Sequence, residues 1–323
     1  MATTRRRIST NGVELDVIDA GTPGDPVVVL VHGFPESSHS WRHQIDPLVA
    51  AGYRVLAPDQ RGYAASSAPR EVEAYRTDHL CADLIGLLDD VDARQALFVG
   101  HDWGALVVWD LARLHPDRVR GLVNVSVPYT PWPAPPTELF RAASGDRFFY
   151  MLYFQPVGPA EAELEADVAE TMRLTLWGGS GEMYGPAPDP LPPMEGTGFL
   201  DSITRGEPVP DGLPEWLSEA DLRVYVEQFT TSGFFGPLSW YRNLDADHRI
   251  TDGLPAPAMP TAFIGGTRDG VIAGRPEYVA AMEALLPDHR GARMIEDAGH
   301  WTQQEKPTEF DAALLDLLRA VTA

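Results

Sequence analysis

Ala96-Leu97-Phe98-Val99, then Gly100-His101-Asp102-Trp103-Gly104, then the apolar run Ala105 to Leu114, is the stretch whose reading decides the fold. Four apolar residues read as a strand buried on both faces, and the longer apolar segment as a helix. Between them a glycine-flanked turn lifts one central side chain, Asp102, out of the sheet. A strand, sharp turn and helix in that order is the setting of a nucleophile elbow. The flanking glycines let the helix pack close to neighbouring strands.

Working outward, similar runs recur at Val27 to Val31, Arg54 to Pro58, Leu122 to Val127, Thr261 to Ile264 and Ala292 to Ile295. Their alternation with helical patterns predicts an α/β architecture with a doubly wound, mostly parallel sheet flanked by helices. The alternation stops at Pro128, in a stretch rich in proline and aromatic residues. It resumes after the proline-rich joint Gly253 to Pro260. Residues 130–250 are therefore expected to form an inserted, mainly helical cap over a core made of residues 1–129 and 251–323. Within the insertion, Gly178 to Gly185 lacks the strand-turn-helix setting of a nucleotide loop and is read as a flexible loop.

Composition narrows the partners. With 25 Lys and Arg against 47 Asp and Glu, the chain carries a formal charge of −22, which repels nucleic-acid phosphates and anionic lipid headgroups alike. No apolar window approaches a membrane span, and Arg5-Arg6-Arg7 is not followed by an apolar stretch of signal-peptide length. A cytoplasmic location is expected, with the arginine run as a solvated arm. The single cysteine, Cys81, has no disulfide partner, is a poor nucleus for a metal site, and is read as a small buried residue. A homo-oligomer is left open.

The residue at the elbow constrains the chemistry. An aspartate attacking an ester or amide would yield an anhydride, with little thermodynamic advantage. Attack on a saturated carbon bearing a strained or good leaving group instead gives an alkyl ester, which water can cleave. A carboxylate with a reference pKa of about 3.9 is ionised at neutral pH and needs no base for that attack. His300, just beyond the strand-like run Ala292 to Ile295, is the candidate base for the water. Asp269, following Thr261 to Ile264, completes the order nucleophile, acid, histidine. It would hold one ring nitrogen of His300 as donor and stabilise the imidazolium. His32-Gly33-Phe34-Pro35, directly after Val27 to Val31, matches the loop that supplies an oxyanion-hole amide. The backbone N–H groups of Phe34 and Trp103 are the expected donors to the Asp102 carboxyl oxygen. His32 is read as a brace of its loop and His101 as a neighbour of the elbow. The remaining histidines, among them His39, His43, His79, His115, His248 and His289, are read as structural or exposed.

Taken together, these segments resemble the epoxide hydrolases of the α/β-hydrolase superfamily. The resemblance runs from about Ile8 to about Leu318. It is carried by His32 to Gln44, Asp59-Gln60-Arg61-Gly62-Tyr63, Gly100 to Gly104, Tyr150 to Gln155, Trp240-Tyr241-Arg242-Asn243 and the segment around His300. It implies an α/β-hydrolase fold, no cofactor or metal, and a small-molecule epoxide as substrate, opened through an Asp102 ester to a vicinal diol. It further implies that two cap tyrosines, Tyr150 and Tyr241, donate to the epoxide oxygen, with Tyr153 as the competitor to Tyr150. Phe34, Pro35, Trp103 and Phe154 are expected to line the pocket, and Phe34-Pro35 to be a cis peptide. The chain departs from the pattern at Ala64, where relatives often carry a second glycine, and in a proline-rich tract at Pro186 to Pro193. The rival activity is that of a haloalkane dehalogenase, which shares the aspartate, the histidine and a tryptophan after the nucleophile. A more distant alternative is a catalytically silent ligand receptor.

Overall fold

The computed structural model describes residues 3–183, 191–204 and 208–323. Eight strands form one sheet: β1 (Thr4–Thr10), β2 (Val13–Ala20), β3 (Val27–Val31), β4 (Arg54–Pro58), β5 (Ala96–His101), β6 (Val119–Val125), β7 (Thr261–Gly266) and β8 (His289–Ile295). Their order across the sheet is β1-β2-β4-β3-β5-β6-β7-β8. From β4 to β8 all pairings are parallel, and β1 and β2 add an antiparallel edge. The central strands carry apolar side chains on both faces, as a sheet covered by helices on both sides requires. In β3, Val27, Val29 and Val31 join one buried cluster while Val28 and Leu30 join the other.

The antiparallel edge corrects the expectation of a solvated N-terminal arm. Arg5, Arg6 and Arg7 lie in β1, paired residue by residue with Ile18, Val17 and Asp16 of β2. Asn11 and Gly12 both have positive φ, 43° and 77°, which lets a tight turn reverse the chain with the twist a hairpin needs. The arginines are anchored rather than free. Arg5 pairs with Asp16 and with Asp59 at 3.1 Å and donates to Ser38 Oγ at 3.0 Å, while Arg6 pairs with Asp90 and with Asp19 at 3.1 Å. The consecutive charges read as a solvated arm because the hairpin that brings Asp16 and Asp19 alongside, and the remote Asp59 and Asp90, are not apparent from the local sequence.

Between β6 and β7 the described residues form eight α-helices, from Pro136–Ser144 to Leu244–Thr251. They cover the end of the sheet where β3, β5, β6 and β7 deliver their loops. The glycine tract is a second correction. Gly178 and Gly179 close the helix Val168–Gly179, and Gly181–Met183 is a short 3-10 turn packed on the loop that follows β8. A Cβ on Gly181 would lie 2.5 Å from the Asp297 carbonyl oxygen, so the glycines permit backbone contact rather than flexibility. Tyr184 and Gly185, like most of the Pro186 to Pro193 tract, lie outside the described residues. Ala64 has φ 49°, the left-handed region in which a glycine would be unstrained.

Candidate active site

Asp102 sits between β5 and the helix Trp103–Leu114 with φ 51° and ψ −117°, a strained turn for a residue with a side chain. Glycines make that turn possible. A Cβ on Gly100 would lie 2.5 Å from the Gly104 carbonyl oxygen, and one on Gly104 would lie 2.1 Å from that of Val31. Helix and strands therefore touch backbone to backbone, which pushes Asp102 out over the sheet. Gly33 is equally constrained, since a Cβ there would meet Asp102 Oδ1 at 2.5 Å.

The structure brings Asp102, His300 and Asp269 together from three separate loops. His300 Nε2 is 3.5 Å from Asp102 Oδ2, and its Nδ1 is 3.1 Å from Asp269 Oδ1. Asp269 is fully buried, whereas the side chains of Asp102 and His300 keep 18% and 14% exposure, enough to meet a ligand. Burial alone would favour neutral imidazole. The charge of Asp269 and hydrogen bonds to Asp102 and Asp269 overcome it and hold His300 well above its ordinary pKa. Burial likewise opposes ionisation of Asp102, yet the hydrogen bond and charge of His300, the charge of His101 and the Phe34 amide hold its carboxyl below the usual range. Asp269 is lowered against burial mainly by the charge and hydrogen bond of His300.

The Phe34 N–H donates to Asp102 Oδ1 at 2.8 Å, and the Phe34–Pro35 bond is cis, as the resemblance implies. Trp103 opens its helix, so its N–H belongs to the first turn, where amides have no partner within the helix. Above the carboxylate, Tyr150 and Tyr241 face one another with ring centroids 5.9 Å apart. Tyr241 packs on Phe34 at 5.5 Å, on Trp103 at 4.9 Å and on Phe154 at 5.0 Å. Gln155 ties the two tyrosine helices together by donating to the carbonyl oxygens of Met151 and Tyr241 at 2.7 and 2.9 Å. Burial, then for Tyr241 the neighbouring Tyr150, and for both the charge of Asp102, push the hydroxyl pKa values upward, so both stay protonated. Tyr153 points elsewhere, toward Glu163 and Phe148.

Sequence reasoning passed over Ser126, whose Oγ lies 3.0 Å from His300 Nδ1 and which has φ 72°. Its position just beyond β6, at the carboxyl end of a central strand, was the available signal. It also undervalued His101. That ring is fully buried, with Nδ1 2.6 Å from Glu36 Oε2 and Nε2 2.8 Å from the His300 carbonyl oxygen. Glu36 is held ionised against burial chiefly by His101. Its Oε1 accepts from Gln303 and Gln304, so it joins the oxyanion loop to the His300 segment. His32 braces its loop through the Gly33 carbonyl oxygen and the Gln60 amide. Among the described residues no group of three His, Cys, Asp or Glu side chains is arranged to hold a metal ion, and no helix is long and apolar enough to cross a membrane.

Comparison with known proteins shows what the whole chain is similar to. The alpha/beta hydrolase fold family matches residues 26–157. Epoxide hydrolase A of Mycobacterium tuberculosis is 48% identical over 98% of each chain. The bifunctional epoxide hydrolase 2 of Mus musculus is 37% identical over 95% of this chain and 54% of its own. Among solved structures, epoxide hydrolase A from Mycobacterium thermoresistibile superposes with a TM-score of 0.90 at 48% identity, covering 98% of both chains. An epoxide hydrolase from an endophytic Streptomyces superposes at 0.89 with 37% identity, covering 98% of this chain and 95% of that one. With relatives this similar over nearly its whole length, the chain that carries this carboxylate, histidine and pair of roof hydroxyls belongs to the epoxide hydrolase family of the α/β-hydrolase fold.

Proposed function

We propose that this enzyme adds water to an epoxide to give a vicinal diol, through an ester formed by Asp102. The observation that carries the reading is the pairing of an ionised carboxylate on the elbow with the Tyr150 and Tyr241 hydroxyls facing it from the cap. Asp102 attacks a ring carbon from below while the two hydroxyls donate to the oxygen that becomes an alkoxide. The resulting ester carbonyl oxygen lies where the Phe34 amide already donates, joined by that of Trp103. His300, held by Asp269, then takes a proton from water, which attacks the ester carbon and releases the diol. Phe34, Pro35, Trp103 and Phe154 wall the pocket around the reacting atoms.

The haloalkane reading is weaker, because an expelled halide needs no proton, and the Trp103 indole is engaged with the Tyr241 hydroxyl. An intact set of reacting groups speaks against a silent receptor. We place the core at residues 1–129 and 251–323 and the cap at 130–250. The formal charge of −22 speaks against a nucleic-acid partner, and the epoxide chemistry asks for a small neutral ligand.

A single turnover in heavy-oxygen water, with enzyme in excess over a styrene-type epoxide, tests the ester. The label is expected in the Asp102 carboxyl and not in the first-turnover diol. Label found only in the diol would mean direct hydration and end this reading.

A further inference from the structure

Glu305 takes no part in the chemistry derived above, yet its carboxylate is the meeting point of three backbone amides. Oε2 accepts from Gly181 at 2.9 Å and Gly299 at 3.0 Å, and Oε1 accepts from Trp301 at 3.0 Å. Gly299 and Trp301 are the two neighbours of His300, and Gly181 belongs to the cap. The same strip of cap holds the histidine residue itself. The His300 N–H donates to the Gly179 carbonyl oxygen at 2.8 Å, and the Trp301 indole donates to that of Leu176 at 2.8 Å. The contact is so close that a Cβ on Gly299 would lie 2.1 Å from the Gly181 nitrogen.

We propose that Glu305 is a positioning residue for His300, fixing the height of the imidazole over the Asp102 ester by clamping both flanking residues to the cap. The proposal rests on the two-step reading given under Proposed function. Three converging N–H donors need an acceptor on every side, and only a carboxylate offers lone pairs on both oxygens. A glutamine must turn its NH2 toward at least one donor and release Gly181 and Gly299, or Trp301. The consequence falls on one step. Ring opening depends on Asp102 and the tyrosines, none of which Glu305 touches, whereas ester hydrolysis depends on where His300 holds its water.

The test compares wild type, Glu305→Gln, Glu305→Ala and His300→Gln with a styrene-type epoxide, by rapid quench and intact-protein mass spectrometry. Rates are expressed per site that becomes alkylated, so that misfolded protein drops out. For Glu305→Gln, ester hydrolysis is expected to slow by about tenfold or more, the scale of a displaced catalytic group. Alkylation should stay within about twofold of wild type, so that alkyl-enzyme accumulates and KM falls together with kcat. A purely structural role would reduce the number of competent sites without changing that partition. Parallel slowing of both steps, or an unchanged partition, overturns the proposal. If Glu305→Ala does not fold, Glu305→Gln decides alone. A His300→Gln variant that never traps alkyl-enzyme while wild type makes diol removes the ester reading itself, and is recognisable because the failure appears without any change at Glu305.

Discussion

His300 lies between two carboxylates, and on the proposed ester route only one of them stays charged after the first chemical step. In the free enzyme both Asp269 and Asp102 hold the ring well above its ordinary pKa against the cost of burial. Esterification neutralises Asp102, so one of the two attractions vanishes just when the ring must become a base. The pKa of His300 therefore falls from free enzyme to ester. As pH rises, hydrolysis of the trapped ester should switch on at a lower pH than the titration of His300 in the resting protein. Stopped-flow hydrolysis of pre-formed ester across pH, set against imidazole NMR of free enzyme, measures both. Coincident midpoints would show that the Asp102 charge has no such influence. The tyrosines belong to the same scale. Tyr150→Phe and Tyr241→Phe should each slow ring opening, and the double variant should lose nearly all of it, because two donors to one oxygen are not independent. Diol formation by wild type and the three variants decides it, and a double variant at wild-type rate would remove both roles. From sequence, Asp102, His300 and Asp269 are readable because each follows a strand and the chemistry demands their order. Tyr150 and Tyr241 are readable only through resemblance, since nothing local distinguishes a donor from a core aromatic.

At the scale of the element, the elbow is set by what cannot be fitted into it. The helix Trp103–Leu114 approaches β3 so closely that any side chain at Gly104 would collide with backbone, at Val31 and His32 alike. Backbone cannot rotate away as a side chain would. Gly104→Ala is therefore expected to destabilise the protein by about 3 kcal/mol, at the upper end of overpacking costs, read as a lower urea midpoint. It should also slow ester formation in the molecules that fold, as Asp102 is displaced. A neutral alanine would show that helix and strand can part. The parallel strands were legible because residues buried on two faces form unbroken apolar runs. The hairpin β1–β2 was not, because β1 is mostly exposed and carries charges whose partners, such as Asp59 and Asp90, are remote in sequence. The glycine tract misled for a related reason: glycine marks both freedom and close approach, and only the Gly179 and Gly181 contacts with the His300 loop tell which applies.

Across the whole molecule, cap and core share one interior. The larger buried cluster runs without a break from Phe34 and Trp103 to Phe154, Phe199, Phe229 and Trp240 of the cap. Neither part keeps its apolar face covered without the other, so the two should unfold together. Thermal melts followed by far-ultraviolet circular dichroism and by tryptophan fluorescence are expected to coincide in one transition. A separate, earlier loss of the cap would contradict this. That union leaves one question for experiment, which is whether the cap stays seated through a turnover, and the chain supplies its own means of asking. Its only cysteine, Cys81, is fully buried beneath the helix Trp103–Leu114, and burial raises its thiol well above the ordinary range. Maleimide dyes should pass it by. A pair of cysteines introduced on the outer surfaces of cap and core would then be the sole labelling sites, and energy transfer between them would report in single molecules whether the roof lifts when diol departs.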